Sequence, residues 1–279
     1  LSFDGILYAS QLLQAEALRY GVEHFRRNRG RCMGTIIWQL NDCWPVASWA
    51  LIDYCGRWKA AQYFAKRFFA PVLLSCEEEG ILTQDTNPNA QPYEVKKSIR
   101  LNVSNETLQE RRLWVEWNLR NNRGEILRGG STEVTVPALS AVWLEKEDCM
   151  DAELYENYVS YECWDTEQMP ANTAVGDCGR QGFEPEAAGD EQPLSAGTVL
   201  FCPPKHFCFA DPELTVQSEG DELVITAKAY AKSVEIQNQN QDLLLEDNYF
   251  DMNGGSRRVK ILKGKPEGLT VKSARDIGR

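Results

Sequence analysis

At Pro71 the periodicity of the chain changes, and that change limits what the chain can fold into. Before it, Tyr8, Leu12, Ala15, Leu18, Val22 and Phe25 recur at three- and four-residue steps, which predicts a one-faced amphipathic helix from Tyr8 to Arg29. Gly30 follows a basic last turn and is suited to the left-handed conformation that ends helices. A second helical pattern runs from Arg57 to Phe69 through Trp58, Ala61, Ala65 and Phe68. Between the two, the apolar run Met33 to Leu40 predicts a buried strand that breaks into a polar loop. One strand cannot make a sheet or cover two helices, so this segment calls for further elements upstream. Leu1-Ser2-Phe3-Asp4 accordingly reads as a cut through a longer chain, and it has no signal-peptide character.

After Pro71 the chain turns to short β-rich segments separated by polar turns. Val72 to Glu78, Lys97 to Val103, Leu113 to Leu119, Thr132 to Val136, Ala141 to Glu145 and Tyr158 to Trp164 are predicted strands, with a hairpin turn at Asn122-Arg123-Gly124. Strands at this spacing predict a β-sandwich. Trp114 and Trp117 fall on opposite faces of one strand, so at most one is a core residue and the other reads as an interface residue, core or interface being favoured over ligand stacking. Residues 166–194 contain hardly any aliphatics, which predicts a mobile surface loop in an enlarged hairpin that returns through Thr198 to Cys202. Beyond Pro203-Pro204, the segments Glu222 to Ala227, Ser233 to Ile236, Asp247 to Phe250, Arg258 to Leu262 and Leu269 to Val271 predict a second, smaller immunoglobulin-like sandwich. The fold class is therefore mostly β, divided at 1–71, 72–204 and 205–279.

Several function classes are disfavoured. A formal charge of −11 over 279 residues opposes a nucleic-acid partner. The basic spots Arg26-Arg27-Asn28-Arg29 and Arg111-Arg112 read as a helix C-terminus and a strand edge. No apolar stretch is long enough to cross a bilayer. Nine cysteines without a CxxC pair read mostly as reduced, buried small hydrophobes. Sequons at Asn102 and Asn105 read as chance. No GxSxG, HExxH, Walker or dinucleotide motif is present, and His24 and His206 read as a helix-surface residue and a structural hydrogen-bonder. Neither a metal nor a cofactor is implied.

The chemistry that remains centres on Gly34 to Trp49. Trp38 closes the expected strand, where an indole suits the C–H face of a sugar; it suits equally a core position between strand and helix. The loop Asn41-Asp42-Cys43-Trp44-Pro45, polar but aromatic, tilts the reading toward a carbohydrate pocket. Asn41 and Asp42 either bond sugar hydroxyls or tie down the loop backbone, with loop scaffolding slightly ahead. Asp42 and Asp53 do not sit in contexts that suggest a catalytic carboxylate pair.

Gly34 to Trp49, Ile52-Asp53-Tyr54-Cys55-Gly56-Arg57-Trp58-Lys59-Ala60 and Lys66-Arg67-Phe68-Phe69-Ala70-Pro71 together resemble the end of the (β/α)8 barrel of family 2 β-mannosidases. Leu200-Phe201-Cys202-Pro203-Pro204-Lys205-His206-Phe207 and Asp247-Asn248-Tyr249-Phe250-Asp251 resemble the trailing immunoglobulin-like domains of that family. The resemblance implies a helix-strand-helix piece completing the barrel, followed by two sandwiches. It implies a retaining exo-glycosidase that removes terminal β-mannose, whose two catalytic glutamates come from earlier barrel strands in Asn-Glu and Ser-Glu contexts. Neither context precedes Gly34, so no catalytic residue is assigned here and the isolated chain is expected to be inactive. Trp38, Asn41, Asp42 and Trp44 are implied to line the pocket for a β-mannoside oligosaccharide. Two alternatives stay open: another family 2 exo-glycosidase such as a β-galactosidase or β-glucuronidase, and a non-catalytic carbohydrate-binding sandwich protein. A cytoplasmic location is expected.

Overall fold

The computed structural model describes residues 2–84, 94–166 and 192–277. The expected mobile loop at 166–194 lies almost wholly outside the described residues. The chain forms two compact units, one of residues 1–25, 32–70 and 210–279, the other of 26–31 and 71–209. Most of the helical N-terminal segment, residues 1–25 and 32–70, thus falls in one unit with residues 210–279.

In the first unit, α1 spans Phe3–Arg27 and α2 spans Ala60–Phe68. Tyr8, Leu12, Ala15 and Val22 are buried on α1 as the periodicity requires, whereas Phe25 is exposed. They meet Ala61, Tyr63, Phe64 and Phe68 of α2 in one apolar cluster. The expected strand at Met33 to Leu40 does not form: it joins no sheet, and Ile36 and Trp38 are exposed. A strand exists only through its ladder partners, and no ladder forms along this segment before Asn41, although its last carbonyls, Gln39 O and Leu40 O, accept from Leu51 and Ile52.

The second unit holds β1 (Val72–Glu79), β2 (Ser98–Asn105), β3 (Arg111–Asn121), β4 (Ile126–Val136), β5 (Ser140–Asp148), β6 (Asn157–Asp165) and β7 (Ser195–Leu200). Two antiparallel sheets, β1-β2-β5 and β4-β3-β6-β7, face each other across a core containing Leu74, Ile99, Leu101, Val115, Trp117 and Phe201. As the alternation requires, Trp117 enters that core while Trp114 lies on the other face. Gly130 is opposite Trp117, and a Cβ there would stand 2.9 Å from the indole Nε1, so only glycine leaves room for the ring. The hairpin turn between β3 and β4 uses Gly124 at φ 89°. β6 and β7 pair from Tyr158↔Leu200 to Cys163↔Ser195, the expected enlarged hairpin.

Three local expectations are corrected in this unit. Arg111 and Arg112 open a central strand rather than an edge, and each meets a carboxylate, Asp165 and Glu133. His206 lies exposed in a 3-10 turn at Pro204–His206, because the two prolines remove the amide donors a ladder needs. Among the eight described cysteines only Cys76, Cys149, Cys163 and Cys202 are buried, and all eight are free. Both sequon asparagines are buried. Asn105 accepts from the Thr107 amide and hydroxyl (2.9 and 2.7 Å) and donates to the carbonyls of Gln109, Val136 and Pro137. Arg27 and Arg29 reach Cys76 O and Glu106, so this basic spot is engaged within the protein.

The rest of the first unit is a second sandwich: β8 (Thr215–Glu219), β9 (Glu222–Ala227), β10 (Ala231–Gln237), β11 (Leu244–Leu245), β12 (Phe250–Met252), β13 (Gly255–Lys263) and β14 (Thr270–Lys272). Its sheets are β11-β13-β9-β8 and β12-β10-β14. Asp247 to Tyr249 is not strand as expected, because Tyr249 takes φ 55°, outside the extended region. Instead these residues clamp the helices. Asp247 pairs with Arg67 and Arg257 at 2.5 and 2.7 Å. Asn248 bonds both backbone groups of Ile236 at 2.9 Å, and Tyr249 packs against Tyr8 and Tyr63.

Candidate functional site

The loop that carries the expected site is built on two short parallel passes of chain. Asn41 and Ile52 form a parallel bridge, Ile52 bridges Trp58, and the amides of Leu51 and Ile52 donate to Leu40 O at 3.1 and 2.9 Å. Residues 43–50 therefore leave and return at one place. From this base three indoles project into solvent: Trp38 is 75 % exposed, Trp44 65 % and Trp49 61 %. The Trp38–Gln39 peptide bond is cis.

A clamp of polar side chains holds the loop. Asp42 is only 6 % exposed, and its two carboxylate oxygens accept from the Ser48 hydroxyl at 2.6 and 2.8 Å. Ser48 Oγ also accepts the Ala50 amide at 3.1 Å. Lys59 lies 3.8 Å from Asp42 and donates to Ser48 O at 3.1 Å, which compensates the buried charge. Gln14 on α1 donates to Trp49 O at 2.5 Å, tying the far end of the loop to the helix. Asn41 is exposed and donates to Asp42 O at 3.2 Å.

Of the four expected pocket residues, Trp38 and Trp44 present open aromatic faces, Asn41 lies at the rim, and the Asp42 carboxylate is turned into the loop. Asp53 organises the next turn: it accepts the amides of Cys55 and Arg57 and the Arg57 guanidinium. Despite partial burial, which pushes the other way, these bonds hold its carboxyl below the ordinary carboxylate range. A groove of about 360 Å³ lies beside the loop between Ile37, Leu40, Leu51, Ala65 and Phe69, and Trp38 is not on its wall. Gln39, Ser48, Lys59 and Gln14 complete the arrangement and were not picked out by sequence reasoning. For Gln39 and Ser48 the one sequence signal was polarity within an aromatic stretch. Among the described residues no group of three His, Cys, Asp or Glu is placed to hold a metal ion, and no helix is long and apolar enough to cross a membrane.

An exposed trio of indoles on a pinned loop offers flat apolar faces, and the neighbouring Asn41 offers hydrogen bonds, which together suit a polyhydroxylated ring. Residues 97–206 match the family model of a Mannosidase Ig/CBM-like domain, and residues 209–277 match that of an Ig-fold domain. The chain is 37 % identical over 109 residues to the Beta-mannosidase of Rattus norvegicus, covering 36 % of this chain and 12 % of the relative. It is 38 % identical over 95 residues to Beta-mannosidase B of Aspergillus niger, covering 32 % and 11 %. These alignments span only about a tenth of the relatives' length. In fold it is similar to the crystal structure of a β-D-mannosidase from Dictyoglomus thermophilum, with TM-score 0.70 and 21 % identity over 95 % of this chain and 29 % of that one. An exo-chitosanase of Amycolatopsis orientalis is similar in fold at TM-score 0.53, with 14 % identity over 94 % of this chain and 34 % of that one.

Proposed function

From the premise that this chain carries the paired immunoglobulin-like domains of the mannosidase families and is related to the β-mannosidases, we propose that it is the C-terminal portion of a family 2 glycoside hydrolase acting on terminal β-mannosides. In that protein the reaction proceeds with retention: one glutamic acid protonates the leaving oxygen while a second attacks the anomeric carbon, and both lie in chain preceding Leu1. The present residues supply a wall of the sugar pocket. Trp38 and Trp44 offer indole faces to the sugar's C–H surface, and Asn41 offers its amide at the rim. Asp42 acts one step back, fixing the loop through Ser48 and Lys59. The observation that carries this reading is the pairing of three open indoles with a loop whose polar groups are already committed to holding it still.

The test uses the parent protein and the 279-residue chain side by side. The parent is expected to hydrolyse a chromogenic β-mannoside in preference to the galactoside and glucuronide, and the chain alone is expected to hydrolyse none. Trp38→Ala in the parent lowers kcat/KM by about a hundredfold, the order expected when a positioning contact at the reacting sugar is lost. Turnover by the chain alone, or a parent that prefers galactoside or glucuronide, overturns the proposal. A cytoplasmic location belongs to the same proposal, supported by eight free cysteines and two buried sequons; fractionation of cells producing the parent checks it.

A further inference from the structure

Away from the Trp38 loop, the outer face of the β4-β3-β6-β7 sheet carries an ordered set of rows. Odd-numbered residues of β3 enter the core, so the even-numbered ones stand on the opposite face. There Trp114 is directly opposite Trp164, Glu116 opposite Glu162, and Asn118 opposite Ser160. The flanking strands continue two of these rows with small residues, Ser131 and Gly129 on β4 and Ala196 on β7. These three are exposed, so the border of the face is low. From the tryptophan row to Asn118 the face runs about 13 Å along the strand.

Three features of this face ask for hydrogen-bonding groups from outside. Two carboxylates directly opposite on neighbouring strands repel each other. Burial, together with Glu116, holds the Glu162 carboxyl above the ordinary carboxylate range, although Trp164 and Arg120 pull the other way. Asn118 donates to Glu116 at 2.7 Å, and Arg120 is committed to Ser160 Oγ and Gly124 O at 2.9 and 2.7 Å. The Trp114 indole N–H is shielded from water yet has no acceptor among the described residues. Opposed carboxylates with lone pairs beyond the single donor each already meets, an orphan donor and two tryptophans at directly opposed positions are together met by a ligand whose hydroxyls both donate and accept around an apolar C–H face. The net negative charge of the floor excludes an anion.

We propose that this face of the first sandwich is a binding platform for a short neutral oligosaccharide, with Trp114 and Trp164 under a sugar ring and Glu116, Glu162 and Asn118 holding its hydroxyls. The platform lies in the other compact unit from the Trp38 loop. It requires no catalytic glutamate, so it stands or falls apart from the hydrolytic reading.

Calorimetry of the full 279-residue chain with β-1,4-mannotriose and with maltotriose tests it. The expected result is measurable binding of at least one of the two. Trp164→Ala is expected to weaken that binding about tenfold, equivalent to about 1.4 kcal/mol. Ala196→Arg, at an exposed border position whose change leaves the core untouched, blocks the floor and weakens binding to the same extent. Near-ultraviolet circular dichroism establishes that the Ala196→Arg protein is folded, so the result does not hinge on the stability of Trp164→Ala. The proposal is overturned if neither sugar binds the unaltered chain or if Ala196→Arg binds like the unaltered chain. None of these outcomes bears on hydrolysis by the parent.

Discussion

Arg67 of α2 and Asp247 of the last sandwich, 180 residues apart in sequence, meet with Nη1 2.5 Å from Oδ1. The same guanidinium donates to Asn248 O and Tyr249 O at 3.1 and 3.0 Å, so one side chain closes three backbone or carboxylate acceptors between helix and sandwich. The Arg67→Ala substitution removes all three donors, while Arg257 still neutralises Asp247. Because the pair is partly shielded rather than fully buried, the expected loss is about 2 kcal/mol. Urea unfolding followed by tryptophan fluorescence measures it, and a loss below about 0.5 kcal/mol would show the contact to be ornamental.

Glu16 gives the first unit an acid-sensitive contact. Burial pushes its carboxyl up, but Arg19 and Lys232 outweigh that and bring it from 4.5 to about 2. A carboxylate lowered on folding contributes stability that is complete above pH 4.5 and disappears as the pH falls toward 2. A quarter of its side chain remains open to solvent, so about 2 kcal/mol is the expected contribution. Thermal unfolding of Glu16→Gln and of the unaltered chain between pH 5 and 2 should converge at the acid end. Curves that stay parallel across that range would exclude the contact as the source.

Asn105 predicts two outcomes at once. Its side chain makes five hydrogen bonds inside the first sandwich, so Asn105→Ala orphans buried partners and costs about 2 to 4 kcal/mol. The same burial denies a glycosyltransferase access. Mass spectrometry of protein secreted from a glycosylating host should find Asn102 and Asn105 unmodified in folded material.

These cases mark how far the sequence could be read. The strands of both sandwiches were legible because alternation at Leu113 to Leu119 and the turn at Asn122-Arg123-Gly124 are local signals. Tertiary ties were not: nothing local to Asp247-Asn248-Tyr249 reveals that it clamps Arg67 and Tyr63, and its β-forming residues suggested a strand that a positive φ at Tyr249 forbids. Thr215–Glu219 passed unnoticed because its five residues are mostly exposed and carry little apolar pattern. Met33 to Leu40 failed for the opposite reason, since its composition suits a strand while no ladder forms along it. At the site, Trp38 and Trp44 were legible from residue type, but Ser48 and Lys59 act through geometry that spacing does not encode.

Ser48 is where that geometry is most exposed to test. Its hydroxyl donates to both oxygens of Asp42 and accepts the Ala50 amide, so Ser48→Ala leaves a buried carboxylate with Lys59 at 3.8 Å and a weak bond from Gln39 at 3.5 Å. An under-satisfied buried carboxylate costs about 1 to 3 kcal/mol. Here the loop's freedom to open limits that cost, because residues 43–50 leave and return at the single bridge between Asn41 and Ile52. The expected outcome is therefore local: the Ala50 amide exchanges with solvent about tenfold faster, while the unfolding midpoint of the chain moves little. In the parent protein the same substitution should raise KM for a β-mannoside more than it lowers kcat, since the indole wall is loosened and the reacting groups are untouched. Unchanged exchange at Ala50 would mean that Lys59 and Gln14 hold the loop without Ser48. A fall in kcat at constant KM would place Ser48 at the reaction itself.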